Sequence, residues 1–175
     1  RKAATGLAVR SSAVGEGGAR TYAGQFTSLL NVLPGQLVEA YKRVVAGRFS
    51  ERAVFYRLST GLLEIDSLMA VLFLPMLDAR ASGIMYTREP NDPKSKTLWI
   101  TATKGLGVDI ASGRMPADLF VVSRRGTHSV TERSIAHKEE AITLEAGGGL
   151  IHTPLPPSSV DQASLEPAQI SRLAD

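Results

Sequence analysis

Residues 8–32 read AVRSSAVGEGGARTYAGQFTSLLNV. An apolar, strand-like start runs into Arg10, Ser11 and Ser12, and a loop of small and hydroxyl-bearing residues follows. Those residue types suit the gripping of a polyphosphate. A guanidinium offers a charge-assisted, bidentate hold on phosphate oxygens. Ser11, Ser12 and Thr21 can donate hydroxyl hydrogen bonds, and Gly15, Gly17, Gly18 and Gly24 let backbone amides close around an anion. No G-x-x-x-x-G-K-[ST] loop is present, nor a G-x-G-x-x-G between a strand and a helix. On residue types alone, a plainer account serves equally well: Arg10 pairs with Glu16 or Glu51 and the glycines make turns.

The elements that must position these groups show in the periodicity. Val9 lies on a short apolar strand, and Gly15–Gly18 cannot be regular structure. Leu37, Tyr41, Val44 and Val45 recur at helical spacing, then Phe49, Ala53 and Tyr56 do the same. Gly47 and Ser50 suggest a break and an N-cap between two helices, and Gly61 a C-cap. From Ser67 the period changes. Residues 68–77 (LMAVLFLPML) read as a buried strand, 81–90 as a second strand ending in a turn, and 97–103 as a third. Residues 104–118 are Gly-rich, and LFVVSRR (119–125) returns to strand. Residues 131–149 look like a hairpin region with a solvated Lys-Glu-Glu, and 151–164 like an extended proline-rich connector. A helix starts near Leu165. The expected architecture is α+β, with an antiparallel sheet from the middle of the chain onward.

Composition narrows the function classes. The chain has 175 residues, 43% hydrophobic and 21% charged, which is globular composition. No run approaches the roughly 20 apolar residues that span a bilayer, so no membrane role is expected. There are no cysteines, which fits a reducing cytoplasm and removes disulfide and thiolate-zinc chemistry. The net charge is +3 and aromatics are 6%. The basic residues are scattered rather than striped, so a nucleic-acid groove is not expected. The chain lacks an initiator Met and a signal-peptide pattern, and is expected to be a piece of a longer product.

The order of the motifs carries a further signal. AVRSSA, then YAGQF and LLNV, then ERAVFYR, then MAVLFLPMLDARASGIMYTREP, then TATKGLGVDIASGRMPADLFVV occur in series. The series resembles the nucleotide-binding domain of the phosphoenolpyruvate synthase and pyruvate phosphate dikinase family, which rifampicin phosphotransferases share. It covers nearly the whole chain. The resemblance implies an ATP-grasp-like α+β fold with a mainly antiparallel sheet flanked by helices. Residues 1–34 would form the phosphate-loop region, 35–66 a helical segment, and 67–175 a lobe with the hinge strand and the start of a terminal helix. ATP with Mg²⁺ would be held between two lobes, for transfer to a histidine on a separate swivelling domain. An acceptor-substrate domain of the same longer protein would follow.

By this resemblance Arg10 contacts the transferring phosphates and is the one catalytic candidate, with Ser11 beside it. Gly24 and Ser28 match the loop over the phosphates. Leu74, Met76 and Leu77 match the hinge strand that lines the adenine slot. Leu74 stands where the family has glutamine, which leaves its carbonyl to accept from the adenine amino group. Pro75 replaces a basic residue and has no N–H. In GLGVD the acid is displaced from Val108 to Asp109. The family's Gly-Gly-Lys would precede Arg1, and its metal-binding acids would follow Asp175. The chain alone is thus expected to be inactive, and its metal ligands are unassigned. The alternative is a degenerate nucleotide-sensing or structural module without catalysis. His152 follows a triple glycine with phosphohistidine-like spacing but reads as a loop histidine. His128 and His137 read as exposed. Trp99 and Met69 read as core residues, and Asp109 and Asp118 either as aids to a cation or, equally, as cap or turn residues.

Overall fold

The computed structural model describes residues 6–13, 26–61, 68–92, 94–126 and 128–175. Gly15–Gly18, Thr21 and Gly24, and with them most of the glycine-rich loop, lie outside the described residues. The chain divides into two units, Arg1–Leu77 with Leu144–Leu150, and Asp78–Thr143 with Ile151–Asp175. Mixed helices and mainly antiparallel sheets make the fold α+β.

In the first unit the helical spacing produces α1 (Leu37–Ala46) and α2 (Glu51–Thr60). The Ser50 hydroxyl caps α2 by accepting the Ala53 N–H at 3.3 Å. Gly61 ends it at φ 67°, in the left-handed region that glycine enters without steric penalty. The apolar face of α1 packs on a three-stranded sheet of order β2-β1-β3, with β1 at Leu7–Ala13, β2 at Ser28–Val32 and β3 at Met69–Pro75. Val9, Val32, Ala40 and Val44 form the buried core between them, flanked by Leu7, Leu29, Leu37 and Val71. Both ladders are antiparallel.

The β3 strand is where sequence predicts one, but it is not buried. Leu72, Phe73 and Leu74 are all exposed. The reason is topological: β3 is the outer strand of this small sheet, and only the α1 face is covered. The early sheet also differs from the expectation that sheet structure begins mid-chain, because β1 recruits β2 and the distant β3.

In the second unit β4 (Ala81–Tyr86), β5 (Thr97–Lys104), β6 (Asp118–Ser123) and β7 (Val130–Ser134) form an antiparallel sheet in that order. Helix α3 (Pro167–Ala174) sets Ile170 against Leu98, Ile100, Ala102, Phe120 and Val122. The expected hairpin at 131–149 is corrected. Residues 130–134 pair with β6, and the two-stranded sheet is β8 (Glu140–Leu144) with β9 (Leu150–Pro154). The first part of the presumed connector is therefore strand, because alternating Ile151 and Thr153 continue a β pattern past the glycine turn.

Lys138 corrects a second expectation. Instead of being solvated with its acidic neighbours, it is 1% exposed and paired with Asp118, which is fully buried. Lys138 Nζ donates to Asp118 Oδ1 and to the Ala136 carbonyl at 2.8 Å. Asp118 also accepts the Ala136 N–H at 3.0 Å and the Ser164 N–H at 2.7 Å. Asp118 is thus neither a turn cap nor a free cation ligand. Burial would raise its pKa, but the Lys138 hydrogen bond and the two backbone donors outweigh this and hold the carboxyl below the ordinary 3.8.

Removing one partner of a buried pair leaves the other charge uncompensated. Lys138→Met should therefore lower unfolding free energy by about 3–5 kcal/mol in urea titrations. Because the folded pKa of Asp118 is depressed, its contribution is present above the unfolded value near 3.8 and is lost as pH falls through the folded value. Asp118→Asn should flatten that loss of stability as pH falls through and below 3.8.

Candidate functional site

The β1–β2 and β1–β3 registers decide which candidate residues share a face. Arg10 lies opposite Ser28 on β2 and opposite Leu72 on β3. Ala8 lies opposite Leu74. Side chains alternate along a strand, so Ala8, Arg10, Ser28, Leu72 and Leu74 occupy one face, opposite to the face that carries Val9 and α1. Arg10, Ser28, Leu72 and Leu74 are exposed there, and among the described residues Arg10 has no ion-pair partner. The plain account of an Arg10–Glu51 pair is not seen. Ser11 lies opposite Val71, on the α1 face, so the structure separates it from Arg10 by one pleat.

Backbone groups along β3 alternate as strictly as its side chains. Met76 N–H donates to Gly6 O at 3.0 Å, one step past the Leu7–Pro75 pair. Alternation then turns the amides and carbonyls of Leu72, Leu74 and Met76 toward β1. Those of Phe73, together with the Pro75 carbonyl, face the outer edge. Pro75 fits only such a position, since it has no N–H to give the ladder. The Leu74 carbonyl, expected to be free, therefore belongs to the β1 side. No strand borders the outer edge of β3 among the described residues, and Leu77, just past it, is 76% exposed.

Asn31 is the residue that sequence reasoning missed. It sits at the end of β2 with φ 55° and is 2% exposed. Its side chain accepts the Gly6 N–H at 3.1 Å and donates to the carbonyls of Glu145 at 2.7 Å and Gly149 at 2.8 Å. The available signal was an amide residue within the apolar run LLNV, where a plain strand would have another apolar side chain. Trp99 and Met69 are half-buried, and Trp99 Nε1 is buried without a hydrogen-bond partner among the described residues.

The second unit collects the histidines. His152 lies on β9, not in a loop, and its Nδ1 is 2.6 Å from Glu140 Oε1. The His137 Nδ1 is 2.7 Å from Asp161 Oδ1, and its Nε2 is 3.6 Å from Glu139 Oε1. His128 is half-buried against Asp175. The Arg114 guanidinium holds Asp109 at 2.6 Å. His137, His152, Asp109 and Arg114 line one cavity of about 300 Å³. Among the described residues no group of three or more His, Asp or Glu side chains could hold a metal ion, and no helix is long and apolar enough to cross a membrane.

Among the described residues, then, the first unit has an exposed sheet face that carries Arg10 and Ser28 and ends at a strand edge that no other strand borders. Comparison with known proteins gives the chain a family. The family model for the pyruvate phosphate dikinase AMP/ATP-binding domain matches residues 1–175, and the chain belongs to that family. It is similar to a probable phosphoenolpyruvate synthase of Staphylothermus marinus, with 37% identity over 145 residues, 82% of this chain and 17% of that protein. A rifampicin phosphotransferase of Streptomyces sviceus is 34% identical over 173 residues, 98% of this chain and 20% of that protein. The prodigiosin synthesizing transferase PigC of Serratia marcescens is 32% identical over 170 residues, 96% of this chain and 19% of that protein. The chain thus spans about a fifth of the length of the curated relatives it matches.

The histidine cluster yields its own test. The Asp161 hydrogen bond, with the charges of Asp161 and Glu139, raises the His137 pKa above 6.5. A raised histidine pKa stabilises the fold below the unfolded value, and that contribution is lost as pH rises through the folded one. An NMR titration should show His137 charging above pH 6.5 in the wild type and returning toward 6.5 in Asp161→Asn.

Proposed function

We propose that this chain is the nucleotide-holding part of a longer cytoplasmic phosphotransferase resembling phosphoenolpyruvate synthase, with an ATP-grasp-like arrangement. It would present ATP for phosphoryl or pyrophosphoryl transfer to a histidine on another domain. The observation that carries this reading is the shared exposed face of Arg10, Ser28 and Leu74, bordered by the edge of β3 that no strand covers among the described residues. Adenine would lie along Leu74, Met76 and Leu77, with its amino group donating to the Pro75 carbonyl and its ring nitrogen accepting the Leu77 N–H. The phosphates would run toward Arg10 and Ser28, with Gly24 of the glycine loop over them. Ser11, on the other face, would act only through its backbone.

The guanidinium would stabilise charge that develops on the transferred group. The described residues do not form a magnesium site. Mg²⁺ would be held by the nucleotide phosphates and by acids other than the described ones. The histidine-bearing and acceptor domains would belong to the longer protein, and acceptors as different as those of the relatives' names are compatible with one shared nucleotide domain.

A second reading, a nucleotide sensor without catalysis, has its own supporting observation. Asp109, displaced from the family position at Val108, is tied to Arg114 rather than free. Detection of phosphohistidine on the full-length protein after incubation with ATP would decide for the transferase.

Titration with ATP should stabilise the wild type by about 2.7 kcal/mol at 100 times the dissociation constant. Losing a charge-assisted hydrogen bond costs about 1.5–3 kcal/mol. Arg10→Ala should therefore weaken ATP binding roughly 10- to 100-fold by calorimetry, while Ser11→Ala changes it little. Equal binding by wild type and Arg10→Ala would remove Arg10 from the site.

A further inference from the structure

The β1–β3 ladder ends on a pair that exchanges no hydrogen bond: its last pair is Leu7 with Pro75, and Pro75 faces the outer edge. The next link is the bond from Met76 N–H to Gly6 O, and Gly6 lies before β1 begins. What holds Gly6 is the side chain of Asn31, whose Oδ1 accepts the Gly6 N–H at 3.1 Å. The fit is close: a Cβ on Gly6 would lie 2.6 Å from Asn31 Oδ1, so only glycine leaves room for the contact.

Asn31 is itself over-determined. Its φ of 55° is left-handed, a region that asparagine tolerates better than most residues. Its amide donates to the Glu145 and Gly149 carbonyls, and its own carbonyl accepts the Gly149 N–H at 3.0 Å. Every hydrogen-bonding direction of the side chain that these bonds use is directed at backbone, inside a buried site. The chain leaves or enters the first unit at Leu77, Leu144 and Leu150. Met76, Glu145 and Gly149 each stand one residue from one of those points. One side chain thus anchors all of them, the first through Gly6.

We propose that Asn31 is a positioning residue for the adenine slot. By holding Gly6 it fixes Met76, and so commits the Met76 N–H inward and leaves the Pro75 carbonyl and the Leu77 N–H outward as the acceptor–donor pair for a purine edge. Asn31 touches no nucleotide and acts only through Gly6 and Met76. This rests on the nucleotide-holding reading, and it adds a distinction that reading lacks. Recognition of the base depends on Asn31, whereas the grip on the phosphates, made by Arg10 and Ser28, does not.

The test compares ATP with inorganic tripolyphosphate on the wild type and on Asn31→Gly, which keeps the left-handed backbone and deletes the side chain. The variant should lose about tenfold in affinity for ATP and keep the wild-type affinity for tripolyphosphate. An unchanged ATP affinity overturns the proposal, and so does an equal loss for both ligands, which marks Asn31 as a general structural residue. A wild type that binds ATP no better than tripolyphosphate sinks the nucleotide reading itself, independently of the variant. Amide hydrogen exchange on the wild type supplies a second readout that needs no substitution. The Met76 amide should be protected without ligand. The Leu77 amide should exchange freely and become protected with ATP but not with tripolyphosphate. A Leu77 amide that ATP leaves unprotected overturns the proposal.

Discussion

An antiparallel ladder gives each residue's amide and carbonyl one side only, and in the β1–β3 pair that side is dictated by a residue that cannot donate. Pro75 has to stand where its nitrogen faces away from β1. With that parity set, Leu74 and Met76 turn inward, while Phe73 and Pro75 turn outward. The parity of side chains follows from the same register, which places Arg10, Ser28 and Leu74 on the face that α1 leaves open. The grouping of these candidate residues is therefore a consequence of register. A slip of one residue would bury Arg10 under α1 and expose Val9, a cost the apolar core of the first unit forbids.

The second unit solves a different problem. Its sheet receives α3 only if the irregular stretch before the helix is held in place, and that stretch has few apolar side chains. Hydrogen bonds, two of them made by charged side chains, help to hold it beside the packing of Ala163 and Leu165. Asp118 takes the Ser164 N–H, Lys138 N–H goes to the Val160 carbonyl at 2.9 Å, and Lys104 Nζ donates to the Ser159 carbonyl at 2.7 Å. A buried ion pair is a weak source of net stability compared with apolar packing. Here it also satisfies backbone donors that would otherwise be buried unpaired, and each of those would cost roughly 1–3 kcal/mol.

How far the sequence could be read depends on whether a signal is local. The two helices, the Ser50 cap and the Gly61 end are local, and spacing alone located them. The strand at 69–75 was legible as a strand, but its burial was not, since an apolar run looks alike at the centre or the edge of a sheet. Lys138 was misjudged because its partner is 20 residues away, and adjacent glutamates are the only context that sequence shows. Ser11 was grouped with Arg10 by adjacency, although adjacency on a strand means opposite faces. Asn31 was invisible as a functional candidate because its role is made of backbone partners 25, 114 and 118 residues distant.

Holding a nucleotide and transferring its phosphate make different demands on a protein. Holding needs an acceptor–donor pair for the base and a cation for the tail, both of which a three-stranded sheet can supply from its own edge and face. Transfer needs metal-binding acids and a nucleophile brought in line with the phosphorus. Among the described residues the carboxylates near the histidines are already engaged with His137, His152 and Arg114, and none forms a metal cluster. In the function proposed above, this sheet would fix the nucleotide while other segments of a longer protein would supply the chemistry. That division would explain how relatives named for such different reactions carry a domain so similar to this one. A nucleotide-holding sheet that contributes no acceptor contacts can be kept unchanged while the acceptor changes.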